Sequence, residues 1–395
     1  MEKINVVQHM NEFRNILSYA TNIGFFFGAG TSCAFGLPNV NELTTEVKLH
    51  LDPSKQTLFA KIESSVKDIC GKSNTNVEDI LNHIRMISDI TQGKAKYSFN
   101  GIPGDEAVQL DEAICKSIFH IIREKEKIAD ISDIRRFIAW YDAANRGFTK
   151  EVYTTNYDML LEMAMEANYT PYFDGFVGSY EPFFSPDGIS IFPCENDSTN
   201  KWIRLWKIHG SLNWIIKETT THSAERIIRV GKIDSPDKKL MIYPSREKYS
   251  LSRKEPFIAY LDRMKQYMQN GELVFICSGF SFCDQHINDI IFNAMRQNKR
   301  LYVMVFCFTD GQVDEMASFT SSHMNLCVMG PTKMITCGIE RIWEYDNSKD
   351  NDEAYKLYWD EAINKFKLGD FRNMIEFLIE NSGRKTLIEE MINAK

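Results

Sequence analysis

Four short polar segments hold the residues that could do chemistry. The first is Gly28-Ala29-Gly30-Thr31-Ser32. Glycines let a backbone approach a phosphate closely, and a helix starting there turns unpaired N–H groups toward the negative charge. A full G-x-G-x-x-G is missing, because position 33 is cysteine, and a tight strand-to-helix turn explains the glycines equally well. The second is Thr154-Thr155-Asn156-Tyr157-Asp158. Its hydroxyls, amide and carboxylate suit the hydroxyls of a sugar; Thr155 or Asn156 would also serve as a helix N-cap. The third, Lys207-Ile208-His209-Gly210-Ser211, sets a histidine at a turn, either as a general base or as a hydrogen-bonded structural group. The fourth runs Ser278-Gly279-Phe280-Ser281-Phe282-Cys283-Asp284-Gln285-His286-Ile287. It reads as a glycine turn in which Asp284 caps the next helix.

These segments need elements to hold them. Ile23–Phe27 is a continuous apolar run ending at glycine, which suits a strand buried on both faces of a parallel sheet. Further strands are expected at 151–155, 203–208, 240–243, 272–278, 301–308 and 324–329, with helices at 285–297 and 312–318 between the last three. This alternation predicts βαβ units and an α/β fold, a doubly wound Rossmann-like parallel sheet. Ligands of such sheets bind outside the C-terminal strand ends, where all four segments fall. Residues 1–21 read as a helix with Val6, Met10, Phe13 and Leu17 on one face, and 156–167 as another. Residues 48–148 show helical spacing at Ile80, Ile84 and Ile87 and at Ile114, Ile118, Ile121 and Ile122, so a helical insertion or small second domain is expected there. Residues 168–200 read as an irregular functional loop. Its Tyr172, Phe173, Phe176, Tyr180, Phe183 and Phe184 fit either core packing or a mobile cover. Helical patterns recur at 353–366 and 370–393. The expected organisation is a sheet domain from 1–47 and 149–345, the insertion 48–148, and a helical extension 346–395.

In this order, the four segments together resemble the motifs of the sirtuin-like superfamily: G-A-G-x-S, T-Q-N-x-D, H-G and a G-x-S turn. They stand here as GAGTS at 28–32, TTNYD at 154–158, IHGS at 208–211 and GFSFCDQHI at 279–287. Departures point to a branch. Sirtuin deacetylases carry a zinc module of two C-x-x-C pairs after H-G, whereas 212–270 contains no cysteine. The Gln of T-Q-N-x-D is Thr155, and Gly36-Leu37-Pro38-Asn39-Val40-Asn41 lacks the Arg of the deacetylases' G-I-P-D-F-R. The pattern looks like that of prokaryotic sirtuin-like NAD hydrolases of anti-phage defence.

That resemblance implies an NAD+ glycohydrolase that releases nicotinamide and ADP-ribose, with NAD+ as substrate and no metal. Asn156 and His209 would be catalytic, with Asp158 at the nicotinamide end. Gly28, Ala29, Gly30, Thr31 and Ser32 would cradle the phosphates, and Gly279, Ser281 and Asp284 the diphosphate–ribose portion. Asp310 is assigned to the adenosine ribose on its strand-end position alone. The chemistry suits these residues. The pyridinium leaves as a neutral base, and the transition state is oxocarbenium-like, as in glycoside hydrolysis. Acidic Asp284 and Asp310 favour NAD+ over NADP+. A zinc-free deacylase or ADP-ribosyltransferase, and a non-enzymatic subunit sensing NAD or ADP-ribose, stand as alternatives. By family analogy, a homo-oligomer and a HerA-like ATPase partner are expected.

Composition bounds the rest. The chain has 395 residues, 44% hydrophobic and 25% charged, as in globular proteins with a core large enough to need no disulfide. A net charge of −8 excludes the footprint of a dedicated nucleic-acid binder. The nine cysteines include no C-x-x-C pair and read as buried free thiols of a reducing cytoplasm. No leader pattern is visible, and no apolar stretch reaches the ~18–20 residues that span a bilayer. A cytoplasmic protein without membrane contact is expected.

Overall fold

The computed structural model describes residues 2–70, 75–144, 149–190, 201–218, 225–231, 240–242, 255–346 and 353–380. Its main sheet has ten strands. In chain order they are β1 (Glu2–Asn5), β2 (Ile23–Phe27), β3 (Lys150–Thr154), β4 (Tyr172–Phe173), β5 (Ile203–Lys207), β6 (Leu273–Ser278), β7 (Leu301–Phe306), β8 (Leu326–Met329), β9 (Lys333–Thr336) and β10 (Ile339–Glu344). Across the sheet they lie β1-β10-β9-β8-β7-β6-β2-β3-β5-β4. Every pairing is parallel except those of β9, which runs against β8 and β10. From β2 the chain winds through β3 and β5 to one side, then returns at β6 on the other. The sheet is therefore doubly wound, with its topological switch between β2 and β6.

β2 is a central strand because all five of its residues are buried, which only a sheet covered on both faces allows. Phe25 stands edge-on to Phe137 and Tyr141, with centroids 5.0 and 5.1 Å apart. Phe26 points the other way and meets Phe280 at 4.6 Å. Burying each ring contributes about 1.5–3 kcal/mol. Helices Val6–Tyr19, Ser132–Ala143, Leu160–Ala167 and Phe371–Glu380 share the cluster on the Phe25 face. Helices Phe257–Gln269, Gln285–Gln297 and Asp310–Thr320 share that on the Phe26 face. On this second face the fully buried Glu151 carboxylate is paired with Arg263 and accepts from Tyr153 (2.6 Å) and the Trp206 indole (2.9 Å).

Between β2 and β3, helices Val77–Thr91 and Gly104–Ile128 turn Ile80, Ile84, Ile87, Ile114 and Ile118 into the same cluster that buries Phe25 and Phe27. The helical spacing there reports true buried faces.

Several elements differ from the expectations. Residues 2–5 form edge strand β1 on β10 rather than helix, because the Asn5 side chain caps the helix at Val6 by accepting from Gln8 N–H. The second helix starts at Leu160, not 156, because the side chains of 156 and 158 are engaged elsewhere. Within 353–366, Trp359 and Phe366 fit one helical face by their spacing. They are instead a cross-strand pair in a short hairpin, whose turn includes Asn364 at φ 53°. Helix Phe371–Glu380 is present, and 381–393 lies outside the described residues. The aromatic segment 172–184 is mostly packed. Phe176 meets Trp214 at 5.0 Å and Phe184 meets Tyr260 at 5.7 Å, while Tyr180 is 95% exposed. Phe176–Val177 and Phe183–Phe184 belong to a second, five-stranded sheet with Gly210–Glu218, Glu225–Arg229 and Leu240–Ile242. Cys277, Cys307 and Cys327 are buried as expected, Cys33 and Cys115 are half-buried, and Cys283 and Cys337 are exposed. Among the described residues no helix is long and apolar enough to cross a membrane.

Candidate functional site

Strand register brings the four polar segments together. Ser278, Phe27, Thr154 and Lys207 are paired in one row across β6, β2, β3 and β5. Each segment leaves its strand immediately after that row. Asn156 and His209 therefore lie two positions beyond a paired couple on adjacent parallel strands, which are about 4.8 Å apart.

The turn after β2 interlocks with the turn after β6. Gly28 N–H donates to the Ser278 carbonyl (3.0 Å) and Gly30 N–H to the Gly279 carbonyl (2.9 Å). A Cβ on Gly28 would lie 2.4 Å from the Gly279 carbonyl oxygen, and one on Gly279 2.4 Å from Thr31 N. Gly279 also has φ +65°, so both glycines are required by this contact. The helix Ala29–Cys33 opens here, with Ala29 and Gly30 exposed and Thr31 and Ser32 buried.

Asn156 is not a cap. Its Nδ2 lies 3.0 Å from the Gly28 carbonyl, 3.1 Å from Thr31 Oγ1 and 2.8 Å from Ser32 Oγ. The orientation follows from donor logic. A carbonyl only accepts, so the amide nitrogen must face Gly28. Thr31 donates its own hydrogen to the Gly28 carbonyl (2.8 Å), and Ser32 donates to Asp158 Oδ2 (2.6 Å). Both hydroxyls are left as acceptors for Asn156. Asp158 is buried, and its other oxygen accepts from Leu160 N–H at 3.2 Å.

His209 Nε2 lies 3.0 Å from Asp284 Oδ2, with 13% of the imidazole side chain exposed. Asp284 does two jobs, because its Oδ1 also accepts from His286 N–H (3.1 Å) and caps helix Gln285–Gln297. Ser281 is exposed on the turn between Gly279 and Asp284. Asp310 stands apart from these contacts, at the start of helix Asp310–Thr320. Its carboxylate accepts from Thr332 N–H (3.0 Å) and Oγ1 (2.8 Å).

A small pocket lies beside Asn156. Thr31, Ser32, Asn156 and Asp158 form its polar wall, and Phe27, Phe35, Ile134, Leu160, Leu161 and Phe371 its apolar one. Cys33 follows Ser32, but burial, reinforced by the Glu42 and Asp158 carboxylates, pushes its thiol up to about 11. It is no nucleophile at neutral pH. Among the described residues no group of three or more His, Cys, Asp and Glu side chains converges to hold a metal ion.

Three contributors were not expected from sequence. Phe371 comes from the C-terminal helix. Glu126 comes from the insertion: buried, it accepts from Met159 N–H (2.6 Å) and Arg123 (2.8 Å). It thereby satisfies the start of helix Leu160–Ala167, which has no side-chain cap of its own. Burial, more than the Asp158 charge, raises the pKa of Glu126. Lys207 is the third. Its signal was legible as one of two charges, with Arg204, in a strand otherwise apolar, Ile203–Lys207.

Two solved structures of Sir2 homologue mutants, one a complex with 2′-O-acetyl-ADP-ribose and one with ADP-ribose, match the chain at 13% and 14% identity. Each covers 74% of this chain, and 83% and 84% of their own chains respectively, with a TM-score of 0.34. No curated protein matches. The family model of the SIR2-like domain matches residues 150–328, which include the segments carrying Asn156, His209 and Asp284. Residues 150–328 are thus similar to a SIR2-like domain, and this match supports a sirtuin-like family for the chain.

Proposed function

We propose that this chain is an NAD+ glycohydrolase that breaks the nicotinamide–ribose bond to give nicotinamide and ADP-ribose. The similarity to a SIR2-like domain suggests NAD-dependent activity in general. The hydrolase reading is carried by one observation: the Asn156 amide is held by three acceptors in the GAGTS turn. With Nδ2 so engaged, Oδ1 is the atom left to accept a hydrogen from a ribose hydroxyl or an attacking water. The Asp284 carboxylate orients the His209 ring and would stabilise it on taking up a proton from that water, a contribution of typically ~10²–10⁴-fold. The exposed turn at Ala29 and Gly30 is assigned to the phosphates, at a sheet's switch point where such ligands bind; the Gly28 and Gly30 N–H groups themselves hold this turn to the Ser278 and Gly279 carbonyls. Ser281 is assigned to the diphosphate–ribose portion and Asp310 to the adenosine ribose.

The motif pattern further supports a role in bacterial anti-phage defence by NAD+ depletion, in an oligomer controlled by a HerA-like ATPase. In this reading 1–47 and 149–345 form the catalytic domain, with 48–148 and 346–395 as additions.

The test is release of nicotinamide from NAD+ by the purified protein, alone and with the candidate ATPase. Asn156→Ala and His209→Ala are each expected to lower the rate by about 10²–10⁴-fold. Full rate in both variants overturns the assignment. Turnover that requires an acyl-lysine peptide would make the protein a deacylase instead.

A further inference from the structure

Lys207 closes β5 inside the molecule, two residues before His209. Only 3% of its side chain is exposed. Its ammonium, with three hydrogens to donate, lies within hydrogen-bond distance of four acceptors: Glu162 Oε1 (2.8 Å), Ser211 Oγ (2.9 Å), the Tyr157 carbonyl (3.3 Å) and the Asp158 carbonyl. Two of these acceptors are main-chain carbonyls of the loop that carries Asn156 and Asp158. A third, Ser211, follows His209 by two residues. One buried cation therefore joins both segments of the site.

Packing does not explain the lysine. Trp206 and Ile208 turn to the opposite face of the sheet, into the Phe26 cluster, as alternation along a strand requires, whereas Lys207 takes a charge out of water to reach Glu162, Ser211 and the 157–158 carbonyls. The ion pair is not arranged for stability either. Glu162 is buried, and its Oε2 has no hydrogen-bond partner among the described residues. What the ammonium supplies, and an aliphatic side chain cannot, is several donors aimed at fixed carbonyls from one point.

We infer that Lys207 is a positioning residue for the reaction. It draws the 157–158 carbonyls toward β5 and so sets the gap between Asn156 and His209. This inference rests on the hydrolase reading above. Removing Lys207 alone would leave Glu162 buried and unpaired, so the variant to make is the double one, Lys207→Met with Glu162→Gln. It should fold, lower kcat for NAD+ by about 10²-fold, the scale expected when catalytic groups shift by about 1 Å, and leave KM nearly unchanged. Its crystal structure should show Asn156 displaced from Ser32 and Gly28. A merely structural lysine would lower thermal stability while leaving kcat per folded molecule intact. Wild-type kcat, or an undisturbed Asn156–Ser32 contact, overturns the inference. Wild type that never turns over NAD+ sinks only the hydrolase reading, and the crystal structure still decides the role of Lys207. Should the double variant not fold, Lys207→Gln with Glu162→Gln answers to the same two readouts.

Discussion

Ser32 sits between Asn156 and Asp158 and can serve them in only one direction. The Asp158 carboxylate takes the hydroxyl hydrogen, so Ser32 offers Asn156 a lone pair. The glycines around it read from sequence as a phosphate cradle; Ala29 and Gly30 are exposed there, but the Gly28 and Gly30 N–H groups donate to the Ser278 and Gly279 carbonyls. The inward direction of Thr31 and Ser32 was not legible, because a side chain's direction in a short helix depends on what stands opposite. Here that is Asn156, 124 residues from Ser32. Ser32→Ala should therefore act on both chemistry and folding. We expect nicotinamide release per folded molecule to fall about tenfold, with a stability loss of about 1–3 kcal/mol, because two hydrogen bonds go and the buried Asp158 carboxylate loses a donor. Steady-state kinetics beside chemical denaturation checks both. A rate loss explained entirely by unfolding would remove Ser32 from the relay.

At the scale of elements, the parallel strands and helices 285–297 and 310–320 were legible, because a sheet covered on both faces writes continuous apolar runs into its strands. The short edge strand β1, the hairpin at 359–366 and, apart from its strand Leu240–Ile242, the second sheet were not. Their residues obey local periods that fit helix or loop equally well, and pairing partners far along the chain decide. The insertion was legible as helical but not as part of the site. Glu126 ties it to Met159, one residue beyond Asp158. Burial raises the pKa of this carboxyl, so the folded state binds its proton more tightly than the unfolded chain does. Its contribution to stability is present below the ordinary glutamate value and is lost as pH rises through the raised one. Glu126→Gln cannot ionise. The stability of Glu126→Gln relative to wild type should therefore climb with pH above about 4.5, as measured by thermal melts across pH. A constant difference would mean that Glu126 does not titrate as described.

On the scale of the whole molecule, helix Phe371–Glu380 completes the wall that β2 begins. Phe371 packs on Phe27 at 4.8 Å and lines the pocket beside Asn156. Phe371→Ala should cost about 3–5 kcal/mol of stability and raise KM for NAD+ by opening the apolar wall. Denaturation and kinetics on the full chain test this, and an unchanged midpoint would show that the helix is not part of the core. Sequence by itself determined the strand ends at which chemistry could occur, because apolar runs and the polar turns after them are local. It also supported a resemblance, because motif order survives where single motifs are ambiguous. Only the tertiary structure decided which groups meet: Asn156 with Ser32, His209 with Asp284, Lys207 with the 157–158 carbonyls. Those pairings span up to 124 residues, and they are set by strand register across the sheet, which no local pattern encodes.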